Sequence, residues 1–144
     1  MAVTTRAAQR SGYSGKPLAA KLGLKPGMRV RLAGEPADYW PLCEFDGASV
    51  VVAPRGKSLD FVHAFFLDRA SFARALPGLA AAIAPDGMIW VSWRKKSVAP
   101  GSDLDENAVR AVALPLGLVD VKVCAVDATW SGLKLVWRRE RRPG

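Results

Sequence analysis

Residues 76–97 read LPGLAAAIAPDGMIWVSWRKKS, and this stretch decides which class of fold the chain can adopt. Its first half continues a stripe of apolar residues at helical spacing, formed by Phe72, Leu76, Leu79 and Ile83. A Pro-Asp-Gly turn at 85–87 ends that pattern, and residues 88–93 then form an apolar strand. A helix that leads through a tight turn into an apolar strand is the repeating unit of an α/β fold.

The patterns on either side extend this unit into a sheet. Residues 59–66 are apolar on both faces, which is typical of an interior strand covered by helices. The other predicted strands cover residues 28–33, 48–53, 118–126 and 133–137. The predicted helices begin near Leu18, Asp68 and Asp103. Residues 35–47 show no clear period, so no element is predicted there.

Three details of these elements can be compared with a structure. Asp103 and Glu106 resemble a capping box, so Asp103 is expected to begin the last helix. Pro77 and Gly78 lie inside the middle helix and are expected to kink or split it. The alternating strand 118–126 carries Val119, Val121 and Val123 on one face and Asp120 and Lys122 on the other.

The element order β-β-β-α-β-α-β-β predicts an α/β fold. We expect a single-domain, mostly parallel sheet flanked by helices, with an antiparallel C-terminal strand pair. The predicted domain covers residues 12–137. Residues 1–11 are expected to form a flexible N-terminal arm, and 138–144 a basic tail.

Composition excludes several classes of protein. The chain has 144 residues, of which 50% are apolar and 24% charged, the mix of a globular domain. No apolar run is long enough to span a bilayer, and the N-terminus resembles no signal peptide. Cys43 and Cys124 are too few for a disulfide framework, so a cytoplasmic location is expected. With one histidine beside them, they do not form a zinc-binding pattern.

Positive charge is the first indication of function. Lysine and arginine number 21 against 13 acidic residues, a formal net charge of +8. The run Arg138 to Arg142, with four arginines and one glutamate, supplies +3 of that charge. Such a balance favours anionic ligands, acidic proteins or nucleic acid, although no nucleic-acid-binding motif accompanies it.

Two stretches resemble class I methyltransferases. They are LKPGMRVRLAG at 24–34, like the first strand of that fold, and 79–93, like its fifth. The resemblance implies a methyltransferase-like Rossmann fold and S-adenosylmethionine as cofactor. The glycine-rich turn is missing, however, because Gly34 is followed by Glu-Pro-Ala-Asp, and Pro36 has no amide to donate. Residues 54–57, Pro-Arg-Gly-Lys, stand where an acidic ribose-binding residue is expected. The sequence therefore predicts no cofactor.

The chain also resembles a bacterial family of small domains of unknown function. The matching stretches are GYSGKPLAAKLGLKPG at 12–27, LPGLAAAIAPDGMIWVSWRKKS at 76–97 and LGLVDVKVCAVDATWSGLKLV at 116–136. In that family the strand end usually reads Trp-Pro-Lys-Lys, and here Arg94 replaces the proline. The resemblance implies a methyltransferase-like Rossmann architecture and no established activity. The GYSGK sequence is not a phosphate loop, because only two residues separate its glycines and Pro17 follows the lysine.

The basic end of strand 88–93 is the candidate ligand site. Ligands of open α/β sheets bind beyond the carboxyl ends of the strands, where cations could hold a phosphate or carboxylate and Trp93 could stack. The turn at 127–132 is the second candidate segment, and its tryptophan either plugs the sheet edge or anchors a partner. The candidate ligand-binding residues are Arg94, Lys95, Lys96, Ser97, Trp93, Tyr13, Ser14, Asp127, Trp130 and Ser131. We expect the segments 12–17, 93–97 and 127–132 to meet.

The remaining reactive residues are expected to be structural. His63 lies within a strand, with Asp60 on the opposite face, so a packed histidine is favoured over a general base. Cys124 is expected to be a small core residue. Cys43 lies in the unassigned stretch, and the sequence does not decide whether it is buried or exposed.

These observations favour a non-catalytic binding or interaction module for an anionic small molecule or an acidic protein. No catalytic residue, cofactor or metal is implied, and no membrane association. Two alternatives stay open. One is a methyltransferase that uses S-adenosylmethionine through an atypical cofactor loop, and the other is weak non-specific nucleic-acid binding.

Overall fold

A computed structural model describes residues 16–141 and contains one six-stranded sheet. The strands are β1 Arg29–Ala33, β2 Val51–Val52, β3 Leu59–Phe65, β4 Ile83–Arg94, β5 Leu118–Ala125 and β6 Trp130–Trp137. Their order across the sheet is β2-β1-β3-β4-β6-β5. The first four are parallel, and β6 and β5 are antiparallel to their neighbours. The predicted α/β fold with an antiparallel C-terminal pair is confirmed.

Four α-helices cover the two faces of this sheet. They are α1 Leu18–Leu22, α2 Tyr39–Cys43, α3 Arg69–Ala82 and α4 Glu106–Leu116. The longer pair, α3 and α4, packs on the face that carries Val62, Ile89 and Val91. The short pair, α1 and α2, packs on the opposite face, which carries Phe61 and Trp90. We call these the long-helix face and the short-helix face. No helix among residues 16–141 is long and apolar enough to cross a membrane.

Aspartates begin the two long helices. Asp68 accepts the Ser71 amide at 2.7 Å, as expected for the cap of α3. Helix α4 is capped by Asp105, which accepts the Ala108 amide at 2.9 Å, so the prediction that Asp103 begins it is wrong. Asp103 instead accepts the Arg69 amide at 2.9 Å, in the first turn of α3. Its carboxylate thus satisfies an N–H group that the helix itself cannot.

Other boundaries also differ from the predicted ones. The unassigned stretch contains α2, and the expected strand 48–53 is a 3-10 turn, Gly47–Ser49, followed by the two residues of β2. Pro77 does not split α3, which runs as one helix from Arg69 to Ala82. In β5 a register shift between Asp120 and Lys122 interrupts the alternation, so Val121 and Val123 are exposed rather than part of an apolar face.

The turn after β1 depends on a single glycine. Gly34 has φ +68°, and a Cβ built on it would lie 2.6 Å from the Phe65 carbonyl oxygen. Any other residue would be strained by the backbone conformation and would also push β1 away from the end of β3.

We therefore expect Gly34→Ala to lower the free energy of unfolding by about 2 kcal/mol or more, measured by denaturant titration. Gly78→Ala is the matched control, because nothing lies within 4 Å of its Cβ position in α3. The control should raise stability by about 0.5–1 kcal/mol. Equal effects of the two substitutions would contradict the packing described for Gly34.

Candidate functional site

Three parallel strands end along one edge of the sheet. The ends are Ala33 of β1, Phe65 of β3 and Arg94 of β4. The chain passes from β1 to β2 on one side, whereas β3 lies on the other, so the strand order reverses between β1 and β3. Ligands of open α/β sheets bind at such a reversal, beyond the carboxyl ends. Because Val52 of β2 is in register with Val30, β2 ends before this edge and contributes nothing to it.

The turn that follows β1 lies directly against β3. Gly34 and Glu35 are exposed at the edge, and Gly34 packs on the Phe65 carbonyl. The Pro36 carbonyl then accepts the Tyr39 amide at 3.1 Å, which begins α2. A ligand at this turn would meet the exposed side chain of Glu35 and a proline without an amide, rather than the row of glycine amides typical of dinucleotide-binding turns.

Beneath the turn, three polar side chains form a hydrogen-bonded network. The Tyr39 hydroxyl lies 2.8 Å from His63 Nδ1, and His63 Nε2 lies 2.7 Å from the Ser92 hydroxyl. The imidazole also stacks on Phe65, with ring centroids 4.3 Å apart. All of these side chains are buried, as the packed-histidine prediction for His63 requires. Burial lowers the pKa of His63 to about 3 and raises that of Tyr39, so both are neutral at pH 7.

Arg94 ends β4 on the short-helix face. It is directly opposite Trp130 in the antiparallel pair, and cross-strand partners share a face. Its Nε atom is buried and has no hydrogen-bond partner within residues 16–141. A buried N–H group without an acceptor is destabilising, so an anionic oxygen at this point would restore a missing interaction.

The rest of the basic segment turns away from the strand and is tied to the hairpin. The Lys95 amide donates to the Thr129 carbonyl at 2.8 Å, and the Lys95 carbonyl accepts the amides of Val98 and Ala99. Lys96 lies 3.8 Å from Asp105, with 76% of its side chain exposed, which is a weak surface pair. Ser97 is exposed. Lys95 and Lys96 therefore add positive charge near Arg94 without a strong internal partner.

The β5–β6 turn is structured by its own side chains. Oδ1 of Asp127 accepts the amides of Thr129 and Trp130, each at 2.8 Å, so one of its two carboxylate oxygens holds the turn. The Trp130 ring meets Phe65 edge-on, with centroids 5.1 Å apart, and stays partly exposed. Ser131 is paired with Trp93, whose ring is 6% exposed in the long-helix core. Little of the Trp93 ring is left for stacking on a ligand.

The structure brings together two of the three predicted segments, 93–97 and 127–132, through the pairing of β4 with β6. Tyr13 and Ser14 lie outside the described residues. Cys124 is buried, as predicted, and Cys43 is buried at the end of α2.

Sequence reasoning missed the link from Tyr39 to Ser92. Tyr39 lies in the stretch to which no element was assigned, so its position could not be predicted. The alternation of Ser92 with Trp93 in the strand was the one available signal, because it places the two side chains on opposite faces of the sheet.

Solved structures match this architecture over nearly the whole chain. A SAM-dependent methyltransferase from Aquifex aeolicus covers 91% of this chain and 92% of its own, with a TM-score of 0.61 and 16% identity. The DhpI–SAH complex covers 95% of both chains, with a TM-score of 0.55 and 12% identity. The mitomycin 7-O-methyltransferase MmcR covers 95% of this chain and 53% of its own, with a TM-score of 0.61 and 12% identity.

The chain has the fold of SAM-dependent methyltransferases. No family model matches it, and no curated protein does. The resemblance to the domain family of unknown function thus stays a prediction.

The buried network predicts an unusual titration of the one histidine. The ring proton signals of His63 should not shift between pH 5 and 8 in the folded protein, measured by NMR, because its folded pKa is about 3. Below about pH 6.5 the unfolded chain binds a proton at His63, whereas the folded chain does not until the pH approaches about 3. The free energy of unfolding therefore falls as the pH drops from about 6.5 toward 3, by about 1 kcal/mol per pH unit.

A His63→Gln variant is the reference, since its stability lacks this one contribution. The difference in unfolding free energy between the two proteins should be constant above pH 7 and should change between pH 6.5 and 4. A midpoint near 6.5 in the folded protein would show that His63 reaches solvent.

Proposed function

We propose that this chain is a small methyltransferase that binds S-adenosylmethionine at the carboxyl edge of its sheet, through an atypical cofactor site. The observation that carries the proposal is the buried, unpartnered Nε of Arg94 beside the strand reversal at which this fold binds ligands. The fold neighbours support it, because two methyltransferases of similar length match nearly the whole chain, and so does a protein in complex with SAH.

The residues at this edge fit the charged end of the cofactor. Arg94 would hold the carboxylate of the methionine group, since a charge-assisted guanidinium–carboxylate bond is a strong one. The exposed Glu35 after β1 would accept from the ammonium group or from ribose hydroxyls. Pro36 and the short β2 do not supply the amides and acidic side chain that such sites commonly use, so side chains would carry most of the binding.

When bound, S-adenosylmethionine supplies a methyl group on a positively charged sulfur. The chain's own contribution is binding and orientation. His63 is buried and has a pKa of about 3, so it does not receive a proton from an acceptor at this edge. We therefore expect acceptors whose nucleophile needs no strong protein base.

A second candidate function is an anion-binding module without catalysis. The same Arg94 would hold a phosphate or carboxylate, assisted by Lys95 and the exposed Lys96. The proline and the single glycine of the turn after β1 favour it, because a crowded turn limits contact with an adenosine.

Calorimetry with three ligands separates these functions. S-adenosylmethionine should bind to the wild type, and at about 100 times its dissociation constant it should stabilise the fold by about 2.7 kcal/mol. In Arg94→Gln its affinity should fall by about 10- to 100-fold, because a charge-assisted bond to the carboxylate is lost. Methylthioadenosine, which lacks that carboxylate, should bind equally to both proteins. Inorganic phosphate, the third ligand, tests whether the site binds an anion that carries no adenosine.

Lys25→Gln is the matched control, because it removes one positive charge from the exposed turn before β1, at the amino end of that strand and away from the carboxyl edge. It should leave all affinities unchanged. If phosphate binds and S-adenosylmethionine does not, the second function replaces the first. If neither binds, both are wrong.

A further inference from the structure

Two lysines face each other on the short-helix face of the β5–β6 hairpin. Lys122 is directly opposite Lys134, and Lys134 is also opposite Trp90 of β4. Like charges at directly opposed positions of an antiparallel pair destabilise the sheet. The folded chain thus keeps a repulsive pair at a place where a single acidic residue would turn it into an attractive one.

Two further lysines join this pair. The Lys122 ammonium donates to the Lys21 carbonyl at 3.4 Å, which brings the end of α1 against the hairpin. The ammonium groups of Lys21, Lys122 and Lys95 all lie close enough to Cys124 to oppose the rise that burial causes in its pKa. Four cations from α1, the end of β4, β5 and β6 therefore lie around one part of the sheet.

This charge is not neutralised within the described part of the chain. None of the four lysines forms an ion pair with a carboxylate of residues 16–141. Asp120 is instead paired with Arg110 at 2.8 Å, and Asp127 accepts two backbone amides through Oδ1. The group formed by Lys21, Lys95, Lys122 and Lys134, which we call the lysine face, is thus a strongly positive surface.

Positive charge continues along β6 beyond the lysine face. Arg138 directly follows the last residue of β6, four residues after Lys134, so continued alternation would place it on the same face. At about 3.3 Å per residue the two are roughly 13 Å apart along the strand. At the other end of β6, roughly 13 Å from Lys134, lies the partly exposed Trp130. Cations repeated along a line, with an aromatic ring at one end, match a ligand whose charges also repeat.

We propose that the lysine face binds the sugar–phosphate backbone of single-stranded nucleic acid. A phosphate between Lys122 and Lys134 would turn their repulsion into two attractive contacts, and the backbone would follow β6 toward Arg138. A single strand is favoured over a duplex because its unstacked bases can reach an aromatic ring such as Trp130. This binding does not depend on Arg94 or on the proposed methyl transfer.

The test is fluorescence anisotropy with a labelled thymidine oligonucleotide of about 12 nucleotides, within the size range of single-strand sites. Binding should weaken steeply between about 50 and 200 mM salt, with a slope of about −0.7 per phosphate contacted. The Lys122→Ala, Lys134→Ala double variant should lose about 0.7 from that slope, because the two lysines share one phosphate. Its melting temperature should equal or exceed that of the wild type, because a repulsive pair is removed.

The control is the double variant Lys25→Ala, Lys57→Ala, which removes two exposed lysines elsewhere. It should keep the wild-type slope. The proposal is overturned if the control loses as much as the lysine-face variant, or if the oligonucleotide shows no salt-dependent binding. It is also overturned if a poly-glutamate peptide binds this face and the oligonucleotide does not, which would assign the surface to an acidic protein.

Discussion

The hydrogen-bonded link from Tyr39 through His63 to Ser92 is the constraint on which the short-helix face depends. Each of these groups would be costly to bury alone, and together they satisfy one another in the core. Helix α2 has five residues, too few to be stable by itself, so its position is set by this link and by the burial of Leu42 and Cys43. The turn from Gly34 to Asp38 is held between β1 and this anchored helix.

Helix α1 depends on a similar contact. It also has five residues, and the Trp90 indole N–H donates to its Leu22 carbonyl at 2.8 Å. On the long-helix face the Trp137 indole N–H also donates to a helix, at the Ala80 carbonyl of α3, but α3 and α4 are longer and present apolar stripes to the sheet. The two faces are therefore stabilised differently, one mainly by amphipathic packing and the other by short segments that depend on buried polar contacts.

This difference explains how much of the fold could be predicted. The stripe from Phe72 to Ile83 and the apolar strands carry a period that is visible in the sequence, so the sheet, α3 and α4 were predictable. A five-residue helix that contains Trp40 and Pro41 has no period to detect, and α2 was missed. The β5 bulge defeated the alternation of the valines, because one extra residue moves every later side chain to the other face.

The candidate site divides in the same way. Residues 93–97 meet 127–132 because β6 pairs with β4, and the sequence indicated the antiparallel pair but not its place beside β4. The loss of Asp127 to backbone capping could not be seen, since it depends on the geometry of the turn. The pairing of Lys122 with Lys134 could not be predicted either, because the register of β5 on β6 depends on where the bulge lies.

The short helix α1 connects these observations. Five helical residues extend about 7.5 Å, and Trp90, Cys124 and Val126 are buried in the same cluster as α1. Lys122 is exposed two residues before Cys124, and its ammonium donates to the Lys21 carbonyl at the end of α1. Within residues 16–141, the lysines of the hairpin therefore lie at the border of the patch that packs with α1, where their alkyl chains can pack on apolar neighbours while the charge stays in water.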